Sequence, residues 1–368
     1  MCKLKEALYG LKQVPRAWYE RIDSYLMKLG FTGSEADPNL YFKVEDAKPL
    51  KLVLYIDELF LTGADPLIFK CKRELASEFE MKDQGLEVWQ KPREIFLSQG
   101  KYVVKILERF GMMDCKPVTT SMELDFKKLS GSVSRPVLQN ATEYCQLVKA
   151  LMFLVNSCLD ICFEINTLSQ HMVEPHHTHW IGVKNFSRYL CGTITHRLRY
   201  TTRDVRLLGY IDVDWAGSVV DQKRTSGCCF SLGSTSISQM SRKKKSMALS
   251  IIKVEYITAN MASCEAVWLQ KLFSELFGFT LDTTLILCDN QSRICLSENP
   301  IFHDCSKHID IKYHYIQDMV HRGAIRLQNI GTDEQVADIL TKPLGKVKFV
   351  TFRERLGFVE IPSYEGRV

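Results

Sequence analysis

The chain has 368 residues, enough for two or three domains of ordinary size. Its composition, 46% hydrophobic and 25% charged, is that of a globular protein with a buried core, and a net charge of +5 excludes a uniformly basic nucleic-acid-binding protein. The 13 cysteines include no C-x-x-C pair, which disfavours a disulfide framework or a zinc ribbon. No apolar run could span a membrane and no signal-peptide pattern is present, so we expect an intracellular protein, cytoplasmic or nuclear.

The first 200 residues predict alternating helices and strands. Residues 1–30 carry the apolar stripe of an amphipathic helix, and residues 37–63 have the pattern of a strand followed by a hairpin. Strand-forming residues begin again at about 87–105. Residues 116–142 are rich in turn formers and lack a period, which predicts a linker, and the segment 143–200 is predicted to be helical.

From residue 205 the pattern changes to three strands in a meander, a long crossover helix and a buried strand. The long helix has one apolar stripe and is stopped by Gly278, and the buried strand ends in an acid. A further strand at 323–330 lies between two predicted helices, the last of which begins around Asp333. This order of elements predicts a mixed α/β sheet.

A histidine-rich stretch, EPHHTHW at 174–180, allows two interpretations. Three histidines within four positions could bind a metal ion, or they could form the polar start of a helix. Because no cysteine or acid at ligand spacing completes a metal site there, the pattern favours the helix start.

Four acids are spread over the region after residue 205 in the order Asp212, Glu255, Asp289 and Asp338. The sequence predicts them at two strand ends, in the second turn of the long helix and on the last helix, from which they can converge. Any one of them alone would be an ordinary surface carboxylate or a helix cap. Phosphodiester hydrolysis needs a water made nucleophilic and a leaving oxygen whose charge is neutralised, and two Mg²⁺ or Mn²⁺ ions held by carboxylates do both.

The residues around these acids resemble the ribonuclease H domain of copia-type retrotransposon Pol polyproteins. The matching segments, in chain order, are GYIDVDWAG, VEYITA, LCDNQS, KHIDIK and ADILTK. The resemblance implies that the same four acids are the catalytic and metal-binding residues and that the cofactors are two Mg²⁺ or Mn²⁺ ions. It implies that Asp214, two residues after the first acid, is a structural acid or one that supports the metal-binding acids from behind.

The upstream part resembles the reverse transcriptase of the same polyproteins from the palm onward, through LYGLKQVPRAW, ADPNLYF, LYIDELFLTG and DCKPVTTSM. By this resemblance Asp57 and Glu58 correspond to a polymerase metal site. We expect that site to be vestigial, because the family's other metal-binding aspartate precedes the YGLKQ motif, Glu58 replaces an aspartate, and a strand segment after residue 86 is missing. RNA-directed DNA polymerase activity is therefore not expected.

Nucleic acid, above all an RNA–DNA hybrid, is the expected partner. The basic run SRKKKS at 241–246 lies beside the predicted groove, where lysine and arginine would contact phosphates, although a solvated turn is the alternative. The segment GLKQVP resembles one that lines the nucleotide and template pocket. The expected contact residues are Lys12, Gln13, Arg242, Lys243, Lys244 and Lys245. We expect no membrane contact and no small-molecule cofactor, and the sequence identifies no protein partner.

The expected fold class is α/β, more fully a multi-domain α+β chain. A truncated reverse transcriptase palm and thumb remnant would be followed by a ribonuclease H-like mixed five-stranded sheet with flanking helices. The expected domains are 1–115 for the truncated reverse transcriptase, 116–204 for a linker and helical connection region, 205–345 for the ribonuclease H-like domain, and 346–368 for a C-terminal tail.

Two functions remain open at this point. One is an RNA–DNA hybrid ribonuclease that acts by two-metal hydrolysis and is attached to a polymerase-inactive remnant; the intact set of four acids favours it. The alternative is a non-catalytic, degenerate transposon relic that at most binds nucleic acid. Lys253, where the family usually has glutamate, and Gln239, where it usually has tryptophan, favour the alternative.

Overall fold

The protein forms two compact units, residues 1–83 with 270–280 and residues 84–269 with 281–368. The computed structural model describes residues 14–55, 58–81, 86–123, 136–155, 158–202, 205–214, 224–243, 251–278, 280–290 and 315–361. Within these ranges no helix is both long and apolar enough to cross a membrane.

In the part that the structure describes, the first unit is a four-stranded antiparallel sheet with two helices and the end of a third. Its elements are α1 Val14–Lys28, β1 Thr32–Gly33, β2 Leu40–Glu45, β3 Lys48–Tyr55, β4 Glu58–Gly63 and α2 Asp65–Glu78. The strands lie in the order β1-β2-β3-β4. Apolar side chains of both helices pack on one face of the sheet, with Leu26, Tyr41, Leu52 and Leu75 fully buried.

The hairpin predicted within residues 37–63 is confirmed, because β3 and β4 pair as far as Tyr55 opposite Glu58. Asp57, at the turn, lies outside the described residues, and so does the side chain of Glu58. The vestigial polymerase site therefore stays a prediction.

The second unit contains two sheets and most of the helices. Its strands are β5 Glu87–Lys91, β6 Glu94–Ser98, β7 His196–Thr201, β8 Leu207–Val213, β9 Thr225–Leu232, β10 Thr235–Lys243, β11 Thr284–Cys288, β12 Ile325–Asn329 and β13 Phe358–Glu360. Its helices are α3 Gly100–Arg109, α4 Ala141–Leu154, α5 Cys162–Ser169, α6 His177–Thr193, α7 Ile251–Phe277 and α8 Lys346–Arg355, with short 3₁₀ helices at Leu159–Ile161, Thr332–Glu334 and Val336–Leu340. The part of α7 from Gln270 onward belongs to the first unit.

Local sequence explains where several of these helices lie. Helix α3 buries Val103, Ile106 and Leu107, which share one face because they are three and four residues apart. Helix α4 starts after Asn140, whose side chain accepts a hydrogen bond from the Glu143 N–H at 3.2 Å. This is the N-cap geometry that asparagine favours.

The mixed five-stranded sheet predicted from the sequence is confirmed. Its strand order is β10-β9-β8-β11-β12. The first three strands form an antiparallel meander, and β11 joins β8 in parallel and is followed by β12, also parallel. The long helix α7 connects the meander to β11. The central strand β8 is buried along most of its length, which explains its nearly continuous apolar sequence.

Four features differ from the sequence prediction. Residues 100–105, within the segment predicted to form strands, lie in helix α3. Residues 196–201, predicted to be helical, form β7, which pairs with β6 and β13 in an antiparallel sheet of order β13-β7-β6-β5. Residues 346–360, predicted as a tail, form α8 and β13, because Phe349, Phe352 and Phe358 are buried in the core. The last predicted helix is two short 3₁₀ helices. The domain boundaries themselves stay predictions.

A buried polar network links α8 to the rest of the second unit. Asp160 accepts a short hydrogen bond from the Tyr189 hydroxyl, and Arg353 Nη1 donates to that hydroxyl at 3.4 Å. All three residues are less than a tenth exposed. Burial raises the pKa of Asp160, while the Tyr189 hydrogen bond and the Arg353 charge lower it. The arginine is thus the buried countercharge of this network.

We expect Arg353→Met to lower the free energy of unfolding by about 2–3 kcal/mol, because the change leaves Asp160 and Tyr189 buried without their countercharge. Arg355→Met is the matched control, since Arg355 lies on the same helix but is exposed; its cost should stay within about 0.5 kcal/mol. Urea denaturation of both variants measures the difference. Equal costs for the two variants would contradict this account of the network.

Candidate active site

Asp212 is held at the carboxyl end of the central strand β8. Its side chain is only 3% exposed. It accepts a short hydrogen bond from the hydroxyl of Thr341. A carboxylate in such a position is costly unless donors or cations surround it.

The 3₁₀ helix Val336–Leu340 brings Asp338 to the same place. Gln335, just before this helix, donates from Nε2 to the carbonyl oxygen of Ile211 at 3.0 Å. On β9, Gly227 lies opposite Asp212, and a Cβ at that position would come within 2.7 Å of Thr341 Cγ2. Glycine is therefore needed there for the segment to pack this closely on the sheet.

Asp289 follows directly after β11, next to Asp212 in the sheet. Strands β8 and β11 are parallel, with Cys288 opposite Ile211. Asp212 follows Ile211 and Asp289 follows Cys288, so the two acids lie on neighbouring strands at the same edge of the sheet. The Asp289 side chain is half-buried.

Glu255 is in the second turn of α7, as predicted, but its side chain lies outside what the structure describes. The adjacent turn of the helix is anchored, because Thr258 Oγ1 donates to Ser226 Oγ at 2.8 Å. Ser226 lies opposite Val213, at the end of β8. This contact anchors the first turns of α7 beside this end of the sheet, and the place of the Glu255 carboxylate stays a prediction.

Two lysines that the sequence interpretation missed neutralise these acids. Lys342 Nζ lies 2.7 Å from Asp338 Oδ1 and 3.8 Å from Asp212 Oδ2. Lys348 Nζ, from α8, lies 3.0 Å from Asp338 Oδ2. Asp338 is completely buried, and each of its two oxygens faces one of these ammonium groups. The i,i+4 spacing of Asp338 and Lys342 was the available sequence signal.

The charged groups of the cluster shift one another's pKa values. Burial, followed by the charge of Asp212, raises the pKa of Asp338, and the two lysines oppose the rise. Burial disfavours the charged form of Lys342, but Asp212, Asp338 and Asp289 outweigh it and raise the lysine pKa. Asp212 and Asp338 thus share one ammonium group, and the charge of Asp289, on the neighbouring strand, also acts on it.

The donor chemistry of this space fits a divalent cation. Carboxylate oxygens are the ligands that Mg²⁺ and Mn²⁺ prefer. Among the described side chains, no three histidines, cysteines or acids are grouped as a metal site. The Lys342 ammonium instead lies between two of the carboxylates, as a cation would.

The predicted nucleic-acid contacts are only partly described. Lys12, Gln13, Lys244 and Lys245 lie outside the described residues. Arg242 is exposed near the end of β10, and Lys243 Nζ donates to Gln170 Oε1 at 2.8 Å. Strand pairing sets Arg242 opposite Ser226, two strands and roughly 10 Å from the β8 end that carries the acids.

Gln239, on β10, lines two clefts of the second unit. The first, of about 500 Å³, lies between β10 and α7, and the second, of about 420 Å³, lies between β10 and α5. Gln239 Nε2 donates to the Val155 carbonyl oxygen at 2.9 Å. Both clefts extend to Arg242. The two clefts leave open space around Gln239, the position at which the resemblance calls for tryptophan.

The histidine-rich stretch forms the start of α6. His176 is the N-cap residue, and its N–H donates to His179 Nδ1 at 3.0 Å. His179 is buried and stacks on His171 with ring centroids 3.7 Å apart. Burial lowers the pKa of both stacked histidines to about 4. The helix-start interpretation accounts for these positions.

Sequence comparison relates the chain to retrotransposon proteins. Residues 1–124 match a family model described as reverse transcriptase (RNA-dependent DNA polymerase). Over 377 residues the chain is 34% identical to the retrovirus-related Pol polyprotein from transposon RE2 of Arabidopsis thaliana, which covers 100% of this chain and 26% of that protein. The corresponding polyprotein from transposon TNT 1-94 of Nicotiana tabacum is 35% identical, with coverage of 97% and 28%. The chain thus spans about a quarter of the length of these curated relatives.

A shorter relative aligns over most of its own length. The putative transposon Ty5-1 protein of Saccharomyces cerevisiae is 30% identical over 271 residues, which cover 70% of this chain and 87% of that protein. Among solved structures, the N-terminal RNase H domain of a Mycobacterium tuberculosis protein matches with a TM-score of 0.28 at 13% identity, covering 41% of this chain and 98% of that one.

Proposed function

Because the chain belongs to the Pol family of copia-type retrotransposons, we propose that its second unit is a ribonuclease H, an endonuclease that hydrolyses the RNA strand of an RNA–DNA hybrid. The observation that carries the proposal is that Asp212 and Asp338 share one ammonium group, while Asp289 follows the neighbouring strand β11 at the same edge of the sheet. Such a set of carboxylates suits metal-dependent phosphodiester hydrolysis.

Asp212, Asp289, Asp338 and Glu255 would hold two Mg²⁺ or Mn²⁺ ions. When bound, these ions would activate a water and neutralise the leaving oxygen of the RNA strand. Thr341 orients Asp212 through its hydroxyl, and Gln335 fixes the segment that carries Asp338. Both contacts hold the acids in place before substrate arrives.

Substrate would be held through its backbone. Arg242, on β10 two strands from the acids, would contact phosphates of the substrate, and so would the basic residues that follow it in the sequence. A hybrid is recognised by its shape, its 2′-hydroxyl groups and its phosphates. We assign no polymerisation to the first unit, because Glu58 stands where the resemblance calls for aspartate.

A non-catalytic nucleic-acid-binding protein is the second candidate function, and one observation favours it. Lys342 and Lys348 already neutralise Asp338, so the acid cluster can persist without any metal ion. In this case binding of a hybrid would not depend on Mg²⁺ and would be indifferent to Asp212→Asn.

Incubation of the purified full chain with a hybrid carrying a labelled RNA strand tests the proposal. We expect cleavage of the RNA in Mg²⁺ or Mn²⁺, complete inhibition by EDTA, and no cleavage of single-stranded RNA or of duplex DNA. Because water is the nucleophile, the products should carry no 2′,3′-cyclic phosphate, which separates this activity from contaminating ribonucleases. A folded sample that binds the hybrid without cutting it in either metal would refute the proposal and leave the second candidate.

A further inference from the structure

Lys342 has an unusual place for a lysine in a nuclease-like acid cluster. Its ammonium group lies between the carboxylates of Asp212 and Asp338, with a third acid, Asp289, close enough to stabilise its charge. The Lys342 ammonium group and a metal ion bound to these carboxylates would occupy the same small space, and their positive charges would repel each other. The two cations therefore compete.

The two lysines of the cluster are fixed to different degrees. Lys348 is tied to several groups, since its Nζ donates to the Thr332 carbonyl oxygen at 3.0 Å and also lies 3.8 Å from Asp333 Oδ1. Both lysine side chains are about one third exposed, but the contacts of Lys342 go to the carboxylates of the cluster. Because lysine has a long, flexible stem, the Lys342 ammonium group can move toward solvent while the backbone stays in place.

Asp338 is completely buried, and each of its oxygens is matched by one lysine. Lys342 Nζ lies 2.7 Å from Oδ1, and Lys348 Nζ lies 3.0 Å from Oδ2. Departure of Lys342 would free Oδ1, while Lys348 would continue to hold Oδ2.

We propose that Lys342 is a displaceable internal counter-ion: its ammonium group holds Asp212 and Asp338 together in the metal-free protein and leaves them when a divalent cation binds. This inference rests on the proposed function, because it takes the acids to be a metal site. Two consequences follow. The lysine keeps the mutually repelling acids in place without metal, and it raises the metal concentration needed for loading.

Titration of the full chain with Mn²⁺, followed by calorimetry, tests the competition without any measurement of activity. We expect Lys342→Gln to bind Mn²⁺ about 10-fold more tightly than the wild-type protein, a difference of about 1.4 kcal/mol. Lys346→Gln removes the same charge from an exposed position four residues away, and its affinity should stay within about 2-fold of wild type. An affinity of Lys342→Gln equal to or weaker than wild type overturns the inference.

A second measurement uses the unmodified chain, so it does not depend on how well the variant folds. Amine acetylation read by mass spectrometry reports how available each lysine is. Mn²⁺ should increase the acetylation rate of Lys342 several-fold and leave that of Lys348 unchanged. A Lys342 rate that does not respond to saturating Mn²⁺ overturns the inference.

Asp289→Asn separates failure of this inference from failure of the proposed function. If wild type binds Mn²⁺ and Asp289→Asn binds it weakly, while Lys342 changes neither affinity nor labelling, only the counter-ion role is wrong. If wild type and both variants bind no Mn²⁺ at all, the acids are not a metal site and both proposals fail.

Discussion

Asp212→Asn is expected to lower the rate of hybrid cleavage by about 10³-fold or more while leaving the protein folded. Asparagine has the size of aspartate and can still accept the Thr341 hydrogen bond, so packing at the end of β8 is preserved. What is lost is the negative charge on which the candidate site depends. Initial rates at saturating Mg²⁺, together with the melting temperature of the variant, measure both parts of the prediction.

Asp214→Asn is the matched control for this experiment. Asp214 is also buried and lies two residues further along the same chain segment, where its N–H donates to the Thr225 carbonyl oxygen at 3.0 Å. Its cleavage rate should remain within about 10-fold of wild type, since the resemblance does not place Asp214 among the metal-binding acids. Equal losses for the two variants would show that the effect comes from general damage to β8 and not from a role of Asp212 in the site.

Glu164→Gln is expected to make the protein markedly more stable above pH 8. Glu164 is buried, and the Ser121 hydroxyl donates to its Oε1 at 2.5 Å. Burial raises the pKa of this carboxyl from 4.5 to about 8, against the lowering effect of the Ser121 hydrogen bond. The folded protein therefore keeps this proton over a pH range in which the unfolded chain has released it.

The sign of the pH dependence follows from that difference. The stability associated with protonated Glu164 is fully present below pH 4.5 and is lost as the pH rises toward about 8. One such group lowers the free energy of unfolding by up to about 1.4 kcal/mol per pH unit within this window. Glutamine carries no titrating proton and keeps the hydrogen-bonding shape, so the variant should lack this part of the dependence.

Urea denaturation of wild type and Glu164→Gln between pH 5 and pH 9 measures the effect as a difference. Histidines and other acids titrate in both proteins and cancel. Glu108→Gln, at an exposed position on α3, should follow the wild-type curve within about 0.5 kcal/mol. A difference between wild type and Glu164→Gln that is constant with pH would show that Glu164 is ionised in the folded protein throughout the range.

The mixed sheet could be predicted from the sequence because each of its strands has a local signal. Strands β8 and β11 are short apolar runs that end in an acid, and turn residues separate the three strands of the meander. The carboxyl ends of parallel neighbours meet at one edge, which is why Asp212 and Asp289 could be placed together.

The form of the segment around Asp338 could not be predicted. Val336, Ile339 and Leu340 are buried and spaced as on an α-helix, but the segment is a 3₁₀ helix. The same apolar spacing suits both forms over so few residues, and packing against Gly227 decides between them. Burial of Asp338 follows from this packing and has no local signal.

Long-range pairing accounts for the other differences. Strand β7 pairs with β13, about 160 residues later, and both are short. Neither has a long enough pattern to be recognised, and the sheet they form depends on the core beneath it. The contact of Lys348 with Asp338 depends on this packing too, because α8 carries both the lysine and the buried Phe349 and Phe352.

The most direct test of the central claim is the rate of RNA cleavage within an RNA–DNA hybrid by the full chain and by its Asp289→Asn variant, side by side in Mg²⁺ and in Mn²⁺. We predict metal-dependent cutting by wild type that falls by about 10³-fold or more in the variant, with both proteins equally folded. Cutting that is unchanged in Asp289→Asn, or no cutting by a folded wild-type chain that binds the hybrid, would contradict the account.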